Sequence, residues 1–404
     1  QKASLGLARS GWRKPSGQDA RAHIVFSDPA VPEASGVVLS SLQARGDGWQ
    51  VLGRAAFDRR TQLDSLSFET IDLPGLIKGK MVYRQGSARE PDQLRLSGDY
   101  LDLRPFLNRP GTPDTLPPPL KDPVKADPRP LDLDLALTTL QMAQGPGLTD
   151  VIVRGVWAGP GQTDLTVSAR SDGAGRLTAR LSPDERRTRV RAEIDNLGSV
   201  VRALSGGIYV AGGEGTLSGH LDADGAALDL DVRTVRAKNI PFLAQILSVA
   251  SLQGLSDTLK GDGILFTRVS LPLRISDQTL RIRNGRATGP AVGLTVQGAA
   301  DLDKNTVDLR GTLAPAYTLN AALGQIPGLG PLLVSRQGEG VVGLGYSVTG
   351  AADKPQVFVN PLSLVTPGIL RRLFERESPP ESPKDPGPGL PTSTPPPRSE
   401  IRKP

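Results

Sequence analysis

Apolar and polar residues alternate with a period of two through most of residues 131–359. Successive side chains of a β-strand point to opposite faces, so each run predicts a strand with one apolar and one polar face. Glycine, asparagine or aspartate separates most runs, which is typical of hairpin turns. The pattern therefore predicts a mainly β fold, a long, antiparallel, curved sheet whose apolar face forms a groove. The clearest runs are Leu131/Leu133/Leu135/Leu137, Leu165/Val167/Ala169, Leu228/Leu230/Val232, Val307/Leu309/Leu313 and Leu344/Tyr346/Val348.

Three segments near the C-terminal end break this alternation and predict short amphipathic helices. Residues 240–260 and 319–333 carry apolar positions at roughly helical spacing, and Thr366-Pro367 is a helix-start signal. All three are expected to pack over the apolar face. The last, which is basic, is also a candidate membrane-surface helix. Its candidate residues are Ile369, Leu370, Arg371, Arg372, Leu373, Phe374 and Arg376.

Proline content divides the chain. Residues 1–108 predict an upstream β-groove segment of short strands, and 109–130 predict a proline-rich linker or insert, because proline removes ladder donors. Residues 131–376 form the main β-groove region with its covering helices. Residues 377–404 are poor in apolar residues and predict a disordered tail.

Several strands end at Asp or Asn before a short apolar segment, as in LDLRPFL at 101–107 and IDNL at 194–197. These side chains suit strand-to-helix junctions because they accept from free backbone N–H groups.

The composition of the chain limits the kinds of partner that it is expected to bind. Aromatic residues make up only 4% of the 404 residues, so Leu, Val and Ala must supply most of the apolar surface. The net charge of +6 suggests nucleic acid or an anionic membrane surface. The arginines, however, are spread singly over polar strand faces, without the aromatic residues of a base-stacking platform. We therefore expect no nucleic-acid partner.

The sequence contains no cluster that predicts catalysis. It has no cysteine and only two histidines, His23 and His220, which are far apart in the chain. The aspartates alternate with leucines, which predicts solvated rows on a polar face. The glycine runs at 213–219 and 338–343 lead into strand patterns and lack the lysine and helix of a phosphate-binding loop. We expect no enzyme activity, no metal and no cofactor.

An ordered series of motifs in the second half resembles the AsmA-like C-terminal region of envelope proteins from Gram-negative bacteria. The series is IDNLG (194–198), GGEGTLSG (212–219), KNIPFL (238–243), VDLRGTLAP (307–315), YSVTG (346–350), PQVFV (355–359) and NPLS (360–363). The resemblance implies a periplasmic repeating β-groove that takes part in phospholipid transport between the inner and outer membranes, as bridge-like lipid transfer proteins do. It also implies an inner-membrane anchor, which we expect upstream of this chain.

A lipid groove agrees with the physical chemistry. Two tails of about sixteen carbons carry roughly 25 kcal/mol of apolar transfer free energy at ~0.8 kcal/mol per CH₂, so phospholipid leaves a membrane slowly. A trough of about 15–20 strands would be on the order of 70–100 Å long. The expected partners are phospholipid, membrane surfaces and other envelope proteins. The candidate lining residues are Leu131, Leu133, Leu135, Leu165, Val167, Leu228, Leu230, Val307, Leu309, Leu344 and Val348.

Two alternatives remain open. The chain could be a structural or interaction scaffold that supports outer-membrane protein assembly and envelope integrity, with its apolar face covered by its own helices. It could also be a β-helix enzyme acting on polysaccharide, but such an enzyme needs acidic residues clustered at one cleft, and the aspartates here alternate along strands.

Overall fold

The computed structural model describes residues 12–13, 19–27, 37–58, 62–87, 89–107, 129–172, 175–207, 209–238, 240–249, 260–315, 343–352 and 354–360. These residues form 19 strands in one sheet and three short helices, α1 (Arg104–Leu107), α2 (Leu197–Ser205) and α3 (Pro241–Val249). The strands are β1 (Ala20–Ser27), β2 (Val37–Gly46), β3 (Trp49–Phe57), β4 (Leu63–Leu73), β5 (Ile77–Arg84), β6 (Asp92–Asp102), β7 (Leu131–Gln141), β8 (Leu148–Trp157), β9 (Asp164–Ser171), β10 (Gly175–Asp184), β11 (Arg187–Ile194), β12 (Val210–Asp222), β13 (Gly225–Ala237), β14 (Ile264–Ser276), β15 (Thr279–Thr288), β16 (Val292–Asp301), β17 (Thr306–Pro315), β18 (Leu344–Ala351) and β19 (Gln356–Asn360).

Each strand pairs with the next along the chain, so spatial order follows sequence order from β1 to β19. The sheet is open rather than closed into a barrel. At about 4.8 Å per strand it is on the order of 85 Å long. The predicted mainly β fold with a long sheet is confirmed. The groove shape remains a prediction.

One pair departs from the predicted antiparallel order. Strand β6 pairs in parallel with β7, from Asp92 opposite Leu131 to Asp102 opposite Gln141. Both strands therefore run in the same direction, and β7 begins at the edge of the sheet where β6 begins. The predicted segments 1–108 and 131–376 share one continuous sheet, and most of the proline-rich stretch at 109–130 lies outside the described residues.

Helix α3 confirms the helix predicted within residues 240–260. The three described helices follow β6, β11 and β13. They occupy the same long edge of the sheet, which we call the helix side. The opposite edge, with the β10–β11, β12–β13 and β14–β15 hairpins, is the turn side. The segments expected to be helical at 319–333 and 366–376, and the tail at 377–404, lie outside the described residues.

The predicted Asp and Asn junctions are confirmed at two helices. Asp102 Oδ1 accepts from the backbone N–H of Arg104 at 2.9 Å where α1 begins. Asn196 caps α2, and its Oδ1 accepts from the N–H of Ser199 at 3.1 Å. Helix α2 ends at Gly206, whose φ of 73° allows its N–H to reach the Arg202 carbonyl. Local chemistry thus places these helices at the strand ends.

Three buried clusters lie along the helix side. The largest packs Leu243, Ile246 and Leu247 of α3 against the ends of β13 to β19. The second includes Ala203 of α2 and residues of β6 to β9, and the third surrounds Trp49. Helices α2 and α3 therefore cover one margin of the apolar face.

Candidate functional site: the apolar face of the sheet

An unbroken line of cross-strand neighbours crosses the whole sheet on its apolar face. It takes one position from each of the 19 strands, and every position is apolar or glycine. We call this line the central row. Its members, from β1 to β19, are Phe26, Leu39, Ala55, Leu66, Tyr83, Leu94, Leu133, Gly155, Leu165, Leu181, Val190, Gly219, Leu228, Leu273, Ile282, Gly298, Leu309, Val348 and Val357.

A second line of the same kind lies two residues closer to the helix side, about 7 Å away along each strand. This inner row runs from β1 to β14 and is also entirely apolar or glycine. The apolar face is therefore several residues wide as well as continuous. The inner row comprises Ile24, Leu42, Gly53, Phe68, Met81, Leu96, Leu135, Val153, Val167, Ala179, Ala192, Leu217, Leu230 and Leu271.

The register places all eleven predicted lining residues on this one face. Leu133, Leu165, Leu228, Leu309 and Val348 belong to the central row, and Leu135, Val167 and Leu230 belong to the inner row. The other three flank these rows: Leu131 opposite Trp157, Val307 opposite Ala300, and Leu344 opposite Leu313. Their shared face is a finding, and their contact with lipid remains a prediction.

Burial separates these residues into two groups. Val348 is fully buried in the cluster under α3, and Leu165 is also buried, so both are packed inside the protein. The other nine predicted lining residues are half-buried. At the β1 end of the central row the side chain of Phe26 is 66% exposed. Most of the central row therefore keeps apolar surface accessible within the described part of the chain.

Sequence reasoning missed the part of both rows that lies in β1 to β6. Leu66, Leu94 and Leu96 follow the same alternation as the predicted residues and occupy the same face. The alternation of LRL at 94–96 is enough to place Leu94 and Leu96 on one face of a strand. That this face continues the apolar face of β7 depends on the parallel β6–β7 pair, which joins the two halves of the sheet.

Three glycines interrupt the side chains of the central row at regular intervals. Gly155, Gly219 and Gly298 lie on β8, β12 and β16, four strands apart, and have φ values of 124°, 152° and 139°. A Cβ at each would lie 2.1 Å from a carbonyl oxygen of the following strand. Only glycine fits this close approach. Each glycine lies opposite a leucine. The row therefore has a gap without a side chain, which we call a glycine notch, beside a large side chain.

Among the described residues, no group of three or more His, Cys, Asp or Glu side chains could hold a metal ion. The shifted pKa values have structural causes. For example, hydrogen bonds from Lys304 lower the pKa of Asp301, and burial raises the pKa of Tyr346.

The predicted membrane-surface helix, with Ile369, Leu370, Arg371, Arg372, Leu373, Phe374 and Arg376, lies outside the described residues. Within the described ranges, no helix combines the length and the hydropathy that crossing a bilayer requires.

The fold defines a class, a mainly β protein built on one long, largely antiparallel, open sheet with an apolar face. The chain matches no family model, no curated protein and no solved structure. The resemblance to the AsmA-like C-terminal region therefore rests on the sequence motifs alone.

Proposed function

We propose that the apolar face binds the acyl chains of phospholipids, and that the protein takes part in phospholipid transport between the inner and outer membranes without catalysing a reaction. The observation that carries this proposal is the central row, in which 19 consecutive strands contribute no charged side chain and, apart from the phenol of Tyr83, no polar one. A bound tail could move along such a row without passing a charged group.

The size of the apolar face argues for an occupant. Contiguous apolar patches on soluble monomers seldom exceed a few hundred Å², and larger ones mark binding surfaces. Two apolar rows extend this face over most of an ~85 Å sheet. Half-buried residues such as Leu133, Leu228 and Ile282 would gain from further burial.

The residue types favour acyl chains over a protein partner. Protein interfaces concentrate their binding free energy in Trp, Tyr and Arg anchors. The central row contains one Tyr, one Phe and no Trp or Arg, and its other members are aliphatic residues or glycine. Aliphatic surface without directional contacts suits fluid hydrocarbon chains.

The two edges of the sheet would give a bound lipid its orientation. Helices α2 and α3 close the helix side with buried apolar clusters. The turn side ends in polar hairpins such as Asp222–Gly225 and Asp301–Thr306. Tails would therefore lie toward the helices, and headgroups would stay in water near the hairpins. We also propose the periplasm as the compartment, in line with the motif resemblance.

A matched pair of substitutions on β8 tests the proposal. Val153 belongs to the inner row, whereas its neighbour Ile152 points to the outer, polar face and is 38% exposed. We expect Val153→Asp to reduce co-purified phospholipid, measured by mass spectrometry, about tenfold or more, because a carboxylate is costly to place among hydrocarbon. Ile152→Asp should leave lipid loading unchanged.

Folding and the alternatives are controlled in the same experiment. Circular dichroism and the melting temperature show whether the Val153 variant is folded, and Leu228→Asn provides a milder second change in the central row. A folded wild-type protein that carries no lipid after gentle extraction, and takes up no fluorescent phospholipid from vesicles, would contradict the proposal. If Val153→Asp instead removes a protein partner while no lipid is present, the scaffold interpretation replaces it.

A further inference from the structure

The outer face of the sheet, opposite the apolar rows, carries a basic pocket between β11 and β15. The pocket has a volume of about 470 Å³. Its floor includes Ala227 and Pro272. Pro272 lies in an inner strand, cannot donate to the ladder, and sits at the irregularity between Ser270 and Leu273 where the β14–β15 pairing shifts. The side chains around the pocket are Arg189, Arg191, His220, Asp229, Arg274 and Arg283.

Cross-strand pairing places arginines opposite each other at this pocket. Arg274 lies directly opposite Arg281, and Arg191 lies directly opposite Arg180. Like charges at directly opposed positions destabilise a sheet. The arrangement is therefore unfavourable for the sheet itself unless other charges compensate.

Some of these arginines are compensated within the protein and others are not. Arg180 pairs with Asp164 at 2.8 Å, and Arg189 pairs with Asp184 at 3.0 Å. Among the described residues, no carboxylate lies within ion-pair distance of Arg191, Arg274 or Arg283.

Arg274 differs from the other two because it is half-buried, whereas Arg191 and Arg283 are exposed. Asp229 is the only acidic residue among those that line the pocket. The residues that line the pocket therefore carry an excess of positive charge, with four arginines and one aspartate.

We propose that this pocket binds an oxyanion of the phosphate class, held by Arg191, Arg274 and Arg283. Guanidinium groups bind phosphate oxygens through paired N–H donors, and several of them around one site suit a tetrahedral anion better than a single carboxylate. The site lies on the opposite face from the apolar rows and is independent of the proposed lipid function. The phosphate group could belong to free phosphate or to an anionic phospholipid at a membrane surface.

Titration calorimetry on the full chain, with inorganic phosphate and pyrophosphate as probes, tests whether the pocket binds free phosphate. Arg274→Gln should weaken binding about tenfold or more. Arg310→Gln is the matched control, because Arg310 is exposed on the outer face of β17, does not line the pocket, and its change alters the net charge equally. It should leave the affinity within about twofold.

A flotation assay with phosphatidylcholine vesicles, with and without phosphatidylglycerol, tests whether the pocket binds an anionic phospholipid. Thermal melting shows whether each variant is folded. It also reports binding, because phosphate should raise the melting temperature of the wild type and of Arg310→Gln, but not that of Arg274→Gln. Binding in either arm that depends on Arg274 and not on Arg310 supports the site and identifies the source. No binding in either arm, or equal loss in both variants, overturns it. Lipid loading of the apolar face should be unchanged in both variants, which separates this test from that of the proposed function.

Discussion

The margin of the apolar face under α3 and the central row differ in burial although the same strands build both. On β13, Val232 is 1% exposed beneath the helix, whereas Leu228, four residues away on the same face, is half-buried. The difference shows that the sheet obtains its packed core along one edge. Apolar residues farther from that edge keep accessible surface, so packed core and accessible apolar surface are divided along the length of a strand.

The largest expected effect comes from truncating the core under α3. Ile246→Ala should lower the free energy of unfolding by about 2–5 kcal/mol, because Ile246 is fully buried and a cavity would remain. Leu228→Ala should cost only about 1 kcal/mol, since its side chain already contacts solvent. Urea denaturation of both variants, freed of lipid, measures the contrast. Equal losses would mean that the central row is also core, and the division along the strand would be wrong.

The next effect concerns the glycine notches within the central row. Gly219→Ala should destabilise the protein by about 1–3 kcal/mol, since φ is 152° and the new Cβ would lie 2.1 Å from the Ala227 carbonyl oxygen. Gly215 is on the same strand and face, and its nearest neighbour would be 3.8 Å from an added Cβ. Gly215→Ala should therefore be neutral or stabilising by up to about 1 kcal/mol. Thermal melting compares the two, and similar losses would show that the close approach at Gly219 does not matter.

Alternation in the sequence was enough to predict which residues share a face. Side-chain direction in a strand is a local property, so Leu133, Leu228 and Leu309 could be assigned to one surface without knowledge of their neighbours. The sites of α1 and α2 were equally local, because Asp102 and Asn196 accept hydrogen bonds from N–H groups only two or three residues away.

Non-local features could not be predicted in this way. The parallel pairing of β6 with β7 joins Asp92 to Leu131 across 38 intervening residues and depends on the whole sheet. Burial is also non-local. Val348 has the same alternation as Leu309 but lies in the cluster beneath α3, because the cover is set by tertiary packing. The arginine pairs of the outer face depend on register for the same reason.

The smallest expected effect concerns Tyr346, which lies in the packed margin under α3. The hydroxyl of the buried Tyr346 donates to the Thr295 carbonyl at 2.6 Å. Tyr346→Phe should cost about 1 kcal/mol near neutral pH, because that hydrogen bond is lost. Burial raises the pKa of Tyr346 above its ordinary value of 10.0, so above that pH the unfolded chain loses the phenolic proton more readily than the folded protein does.

The contribution of this phenol is therefore complete below pH 10 and declines as pH rises further, by up to about 1.4 kcal/mol per pH unit. The stability difference between the wild type and the Phe variant should shrink above pH 10 and change sign by about pH 11, because phenylalanine does not titrate. Urea denaturation across this range measures the difference, with Tyr83 present in both proteins as the internal control. A difference that stays constant with pH would show that Tyr346 contacts solvent, and that the margin under α3 is as accessible as the central row.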